Sequence, residues 1–148
     1  MTDLVALLQE FYREKLTSVL RHQATAVHVA QYDANNAYQY VINREDTHLR
    51  WLESSIVEFG GTPEVIAEPT LTPASGKGND KFLPLVRQDA AAQQELVDKW
   101  KPRAGQIRSE RHRKMVTLML GESLEQKRFF EHMLEGQDDL LGRRMAGA

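Results

Sequence analysis

The sequence predicts an all-α protein, a bundle of four long helices. Three observations lead there. The first 59 residues contain neither proline nor glycine, and all five prolines (Pro63, Pro69, Pro73, Pro84 and Pro102) fall between the outer helices. Apolar residues recur at steps of three and four along most of the chain. No segment shows the strict alternation of a half-buried strand.

The first helix is expected over residues 2–31. Its stripe reads Leu4, Leu8, Phe11/Tyr12, Leu16, Val19, His22/Gln23, Ala26/Val27 and Ala30. Asp33-Ala34-Asn35-Asn36 makes a turn, with Asp33 or Asn35 able to cap the second helix. That helix carries Tyr38, Val41/Ile42, Leu49, Leu52, Ile56 and Phe59 on one face and stops at Gly60-Gly61-Thr62-Pro63. Residues 61–83, with Ser75-Gly76-Lys77-Gly78-Asn79-Asp80, read as a long connection. The third helix starts near Phe82 or Pro84 and shows Leu85/Val86, Asp89, Ala92/Gln93, Leu96 and Trp100. It is expected to break at Lys101-Pro102-Arg103-Ala104-Gly105. The fourth runs over 106–135 with Ile107, Arg111, Met115, Leu118, Glu122, Glu125, Phe129 and Met133. Residues 1–136 form the bundle and 137–148 a frayed tail.

The connection of about 22 residues reaches roughly 70 Å when extended. A helix of about 25 residues is only about 38 Å long. The connection can therefore cross the length of the bundle, making the second and third helices parallel.

Composition bounds the chemistry. With 148 residues the chain suits one domain. A net charge of −2 gives no general attraction to nucleic acid or to a membrane surface. The absence of cysteine excludes disulfides, thiolate metal sites and iron–sulfur clusters. It also fits a cytoplasmic protein. No apolar run approaches the roughly 20 residues of a membrane span, and the first residues lack the pattern of a secretion signal. Gly76-Lys77-Gly78 lacks the spacing of a phosphate loop. No Ser/His/Asp arrangement is evident from spacing. The cluster Arg103, Arg108, Arg111, Arg113 and Lys114 reads as a solvated face.

Glu45 and His48 carry the chemistry. They form a Glu-x-x-His on the face expected to be buried. A buried carboxylate costs several kcal/mol unless neutralised, and a metal ion neutralises it; the alternative is a buried hydrogen-bonded pair. At an offset of 77, Glu122 and Glu125 interrupt the fourth stripe at the same relative place. Level matching across a crossover bundle adds His22 or Gln23 from the first helix and Asp89, with Gln93, from the third. The resulting set is His22, Glu45, His48, Asp89, Glu122 and Glu125. Four carboxylates and two imidazoles suit two divalent ions, and oxygen with imidazole favours iron, manganese or zinc.

Arg44-Glu45-Asp46-Thr47-His48-Leu49-Arg50-Trp51-Leu52, followed by Glu58-Phe59-Gly60-Gly61-Thr62-Pro63, resembles the second helix of the ferritin-like superfamily, including bacterioferritin- and rubrerythrin-type proteins. About 25 residues carry this likeness. It implies a four-helix bundle, often dimeric or larger, around a non-haem di-iron or di-manganese centre, with roles in iron handling or oxygen- and peroxide-linked redox chemistry. This chain departs from the pattern. The last helix has Glu122-x-x-Glu125 where the family has a second Glu-x-x-His. The first helix offers His22/Gln23 where the family has a glutamate. On the third helix the family's glutamate corresponds to Glu95, but Asp89 lies better on the stripe. Two functions follow as expectations: a di-metal oxidoreductase or iron-handling protein, or a structural or interaction protein with an altered site. A bundle with a three-histidine metal site, as in DinB-like proteins, fits less well, because the histidines do not share one face.

Overall fold

The computed structural model describes residues 2–69 and 82–136. Four helices account for most of them: α1 (Thr2–Ala26), α2 (Tyr32–Glu58), α3 (Leu83–Gly105) and α4 (Glu110–Leu134). No strand occurs among the described residues. Most of the long connection, residues 70–81, and the 137–148 tail lie outside the described residues.

Cross-helix pairs fix the directions. Tyr12 meets Glu53, and Lys15 meets Glu45, so α1 and α2 are antiparallel. Arg103 meets Glu10, and Arg21 meets Gln88, so α1 and α3 are antiparallel too. Helices α2 and α3 therefore point the same way. Arg111–Glu58 and Arg44–Glu122 set α4 antiparallel to α2. The pairs α1–α2 and α3–α4 pack most extensively, and α1–α3 and α2–α4 close the square.

The ends obey local chemistry and move several expected boundaries. Helix α1 stops at Ala26, short of residue 31. Gln31 caps α2, its Oε1 accepting from the Ala34 N–H at 2.6 Å. Neither Asp33 nor Asn35 does so. The Asn35 amide instead donates to the carbonyls of Ala26 (3.2 Å) and Val29 (2.9 Å), closing the end of α1. Helix α3 runs through Pro102 to Gly105, where a break was expected. A proline removes one N–H, and burial of Trp100 and Ala104 on either side of it holds the last turn. Ser109 caps α4, which begins at Glu110 and not near Gln106.

At the end of α2, Gly60 takes φ +84°. The Gly61 N–H then reaches the Ile56 carbonyl at 2.9 Å and the Gly60 N–H that of Val57 at 2.9 Å, a Schellman closure. The chain next lies along α1. Gln9 donates to the Thr62 carbonyl (3.0 Å), and Arg13 pairs with Glu64 (2.6 Å).

The interior holds two apolar clusters. One gathers Phe11, Leu52, Ile56, Trp100 and Met119. The other gathers Ala37, Tyr38, Val86 and Phe130. Between them every helix turns polar.

Candidate functional site in the polar stratum

Each helix sends buried polar side chains to this level: Lys15 and His22 from α1, Glu45 and His48 from α2, Asp89 and Gln93 from α3, Ser123 and Gln126 from α4. All continue the apolar stripe of their own helix, so the helical period aims them inward.

Glu45 and His48 are buried as expected, at 1% and 0% exposure. Their neighbour is Lys15, itself at 0% exposure. The Lys15 ammonium donates to Glu45 Oε2 and lies 3.2 Å from His48 Nδ1. His48 Nδ1 is 3.0 Å from Glu45 Oε2, and His48 Nε2 is 2.5 Å from Glu122 Oε2. Glu122 is gripped in turn by the Arg44 guanidinium through both oxygens. Lys15–Glu45 and Arg44–Glu122 form two ion pairs, and the His48 ring joins them, one nitrogen against each carboxylate. Burial by itself would raise the Glu45 pKa. The Lys15 ammonium and the His48 hydrogen bond outweigh it and hold the carboxyl at about 2. Burial likewise raises the Glu122 pKa, while Arg44 and His48 lower it, with a net downward shift that favours the carboxylate.

The second part of the stratum surrounds His22. Its Nδ1 is 3.4 Å from Asp89 Oδ1, and Asp89 Oδ2 accepts from the Tyr38 hydroxyl at 2.6 Å. Gln93 Nε2 stands 2.8 Å from His22 Nε2, and Ser18 Oγ stands 3.3 Å from the same nitrogen. Burial raises and His22 and Tyr38 lower the Asp89 pKa, with a net downward shift.

The expected six residues thus divide into two groups. Glu45 and His48 meet at Lys15, and Glu122 reaches the opposite ring nitrogen of His48; His22 and Asp89 meet one level away. Glu125 joins neither, because it lies on the exposed face. The expected stripe on α4 is corrected by one residue. Val116, Met119/Leu120, Ser123, Gln126, Phe130 and Met133 face inward. Met115, Leu118 and Phe129 form a second, flanking stripe, and one residue is a turn of about 100°. Glu122 sits between the two stripes, at the rim. Among the described residues no three histidine or carboxylate side chains converge as a metal-holding group.

Lys15 is what spacing missed. The signal was present: Leu8, Phe11/Tyr12, Lys15, Val19 and His22 keep the helical period better than the line through Leu16, which is only half-buried. A lysine in such a line is ordinarily discounted because its charge prefers water.

Fold and site together define an all-α four-helix bundle with a buried, ion-paired polar stratum. Comparison of the chain with family models, with curated proteins and with solved structures finds no match.

Proposed function

We propose that this protein is a ferritin-like bundle in which the Lys15 ammonium stands where the family holds divalent ions. It would act as a homo-oligomeric structural or interaction protein, not as a di-metal oxidoreductase. The observation that carries the reading is the contact of a fully buried ammonium with both Glu45 and His48. The donor set does not fit two metal ions. Glu45 Oε2 and His48 Nδ1 face Lys15, and His48 Nε2 is engaged by Glu122. Helix α4 brings in the neutral side chains of Ser123 and Gln126 at the spacing where the family places its second Glu-x-x-His. The ferritin-like part is supported by the shared direction of α2 and α3. The contacts of Thr62 with Gln9 and of Glu64 with Arg13, which lay the chain after α2 along α1, support a crossover as well.

A second reading retains iron, manganese or zinc at this level. It draws on Glu45 Oε1, Gln93 Oε1 and Gln126 Oε1, buried oxygens with no hydrogen-bond partner. One experiment separates the two. Protein purified without chelator is titrated with Fe(II), Mn(II) and Zn(II), and bound metal is measured after gel filtration. The proposal expects well under one ion per chain and an assembly larger than the monomer by sedimentation. Stoichiometric uptake abolished by Glu45→Ala would overturn it in favour of the metal centre.

A further inference from the structure

Beside the Lys15 group, the second part of the stratum has a chemistry of its own. We propose that Ser18, His22 and Asp89 form a nucleophilic acyl-transfer site opening into the groove between α1 and α3, with small carboxylate-bearing esters as its substrate class. The proposal is independent of how the Lys15 group is read.

Ser18 and His22 are one helical turn apart, which places Oγ 3.3 Å from Nε2. On the far side of the ring Nδ1 is 3.4 Å from Asp89 Oδ1. Asp89 is itself fixed by the Tyr38 hydroxyl and held as the carboxylate. No hydrogen bond joins His22 Nδ1 to Asp89 Oδ1; the carboxylate acts through its charge, favouring the ring proton on Nδ1 and the lone pair on Nε2, the tautomer a general base needs. Gln93 agrees with that tautomer, since its amide donates to the same His22 Nε2 lone pair from 2.8 Å, so that Ser18 at 3.3 Å shares the lone pair with it and takes it over only when the amide turns aside. Such hydrogen bonds are commonly long before substrate binds.

Ser18 and Asp89 line a cavity of about 320 Å³ together with Ala92, Leu96 and Arg21. Lys99 on the same lining is ion-paired with Glu14, which leaves Arg21 as a lining cation bonded to no carboxylate among the described residues. That volume suits a small molecule. The Arg21 guanidinium donates to the neutral Gln88 Oε1 at 2.9 Å, so that hydrogen bond leaves its charge uncompensated. A cation on the lining selects an anionic group on the substrate. Ser18 lies inside a helix, where backbone N–H groups are used in the helical ladder. A donor for the oxyanion must therefore be a side chain; the buried Gln93 amide, which carries one N–H toward His22 Nε2 and one toward Ser18 Oγ at 3.4 Å, is the donor nearest the nucleophile.

The reaction is ester hydrolysis in two halves. Ser18 Oγ bonds to the ester carbonyl carbon while its proton passes to His22 Nε2. The acyl C–O bond then breaks, and that proton leaves with the alcohol. Water next attacks the acyl-serine, giving one proton to His22. The C–Oγ bond breaks, and the proton returns to Ser18. The products are one carboxylic acid and one alcohol.

The test uses the full chain. A fluorophosphonate probe and the monosuccinate and acetate esters of 4-nitrophenol are offered to wild type and to Ser18→Ala, His22→Gln, Asp89→Asn and Arg21→Gln. Ser18 is half-buried and alanine is a good helix residue, so Ser18→Ala should keep the helical circular dichroism of wild type. The expected results are a covalent adduct mapped to Ser18 and a burst of nitrophenolate lost in Ser18→Ala. His22→Gln should lower turnover about 100-fold, and Arg21→Gln should reduce the preference for succinate over acetate. Absence of an adduct on Ser18, or turnover unchanged in Ser18→Ala, would overturn the proposal whatever the buried variants do.

Discussion

The Lys15 ammonium rests on Glu45 Oε2 with both side chains shut off from solvent. Neither charge has water to fall back on, so each depends on the other. Lys15→Met should destabilise the bundle by about 3–5 kcal/mol, because it strands a buried carboxylate. The double variant Lys15→Met/Glu45→Leu should recover most of that loss, since an apolar pair needs no counter-charge. Urea unfolding of the two single variants and the double closes the cycle. Additive losses would mean the pair is not coupled.

The same pair sets the acid limit. Glu45 is held at about 2 in the folded chain against an ordinary 4.5. A depressed carboxyl stabilises fully above its unfolded value and ceases to do so as pH falls through the folded one. The difference corresponds to about 3 kcal/mol, lost between about pH 4.5 and pH 2. Glu122 is also shifted down and works in the same direction. Thermal melts of wild type from pH 6 to pH 2 should fall steeply over that window. Glu45→Gln should be less stable at pH 6 and markedly flatter across it.

The turn after α2 makes a different demand. A Cβ on Gly61 would lie 2.9 Å from Ile56 Cγ2 and 3.1 Å from Gln9 Nε2. Gly61→Ala should lower stability by about 1–3 kcal/mol through crowding. Gly60 has open space around it but φ +84°, so Gly60→Ala should lower it by about 1–2 kcal/mol through backbone strain alone. Adding Gln9→Ala should rescue part of the first loss and none of the second, as calorimetry of the four chains would reveal.

Trp100 joins the lower apolar cluster to the α1–α3 surface. It packs edge-on against Phe11 at 4.9 Å, lies under Arg103 at 4.1 Å, and donates from Nε1 to Glu14 at 3.0 Å. Trp100→Phe should keep most of the packing and lose about 1 kcal/mol with the hydrogen bond. Trp100→Ala should lose about 3–5 kcal/mol. Chemical denaturation of both variants gives the comparison.

The period of apolar residues made the helices legible, and Gly60-Gly61 marked the end of α2 because a Schellman closure has a residue signature. Glu45 and His48 were legible as buried because leucine and isoleucine flank them at helical spacing. Helix α4 was not, because Met115, Leu118 and Phe129 form a second apolar line one residue from the true one. Spacing alone does not say which line the neighbours cover. Pro102 misled for a related reason: its local penalty is outweighed by tertiary burial of Trp100 and Ala104. Lys15 stayed hidden because its burial depends on an acid 30 residues away.

The polar stratum also acts as a registration mark. Apolar contacts alone, which exchange one hydrocarbon neighbour for another, resist a helix sliding by one turn less sharply than charged ones. Here a slip of α1 by one turn, about 5.4 Å, would carry the Lys15 ammonium off Glu45 and into hydrocarbon, and His22 away from Asp89. Each helix bears two such teeth, so the four lock at one axial setting.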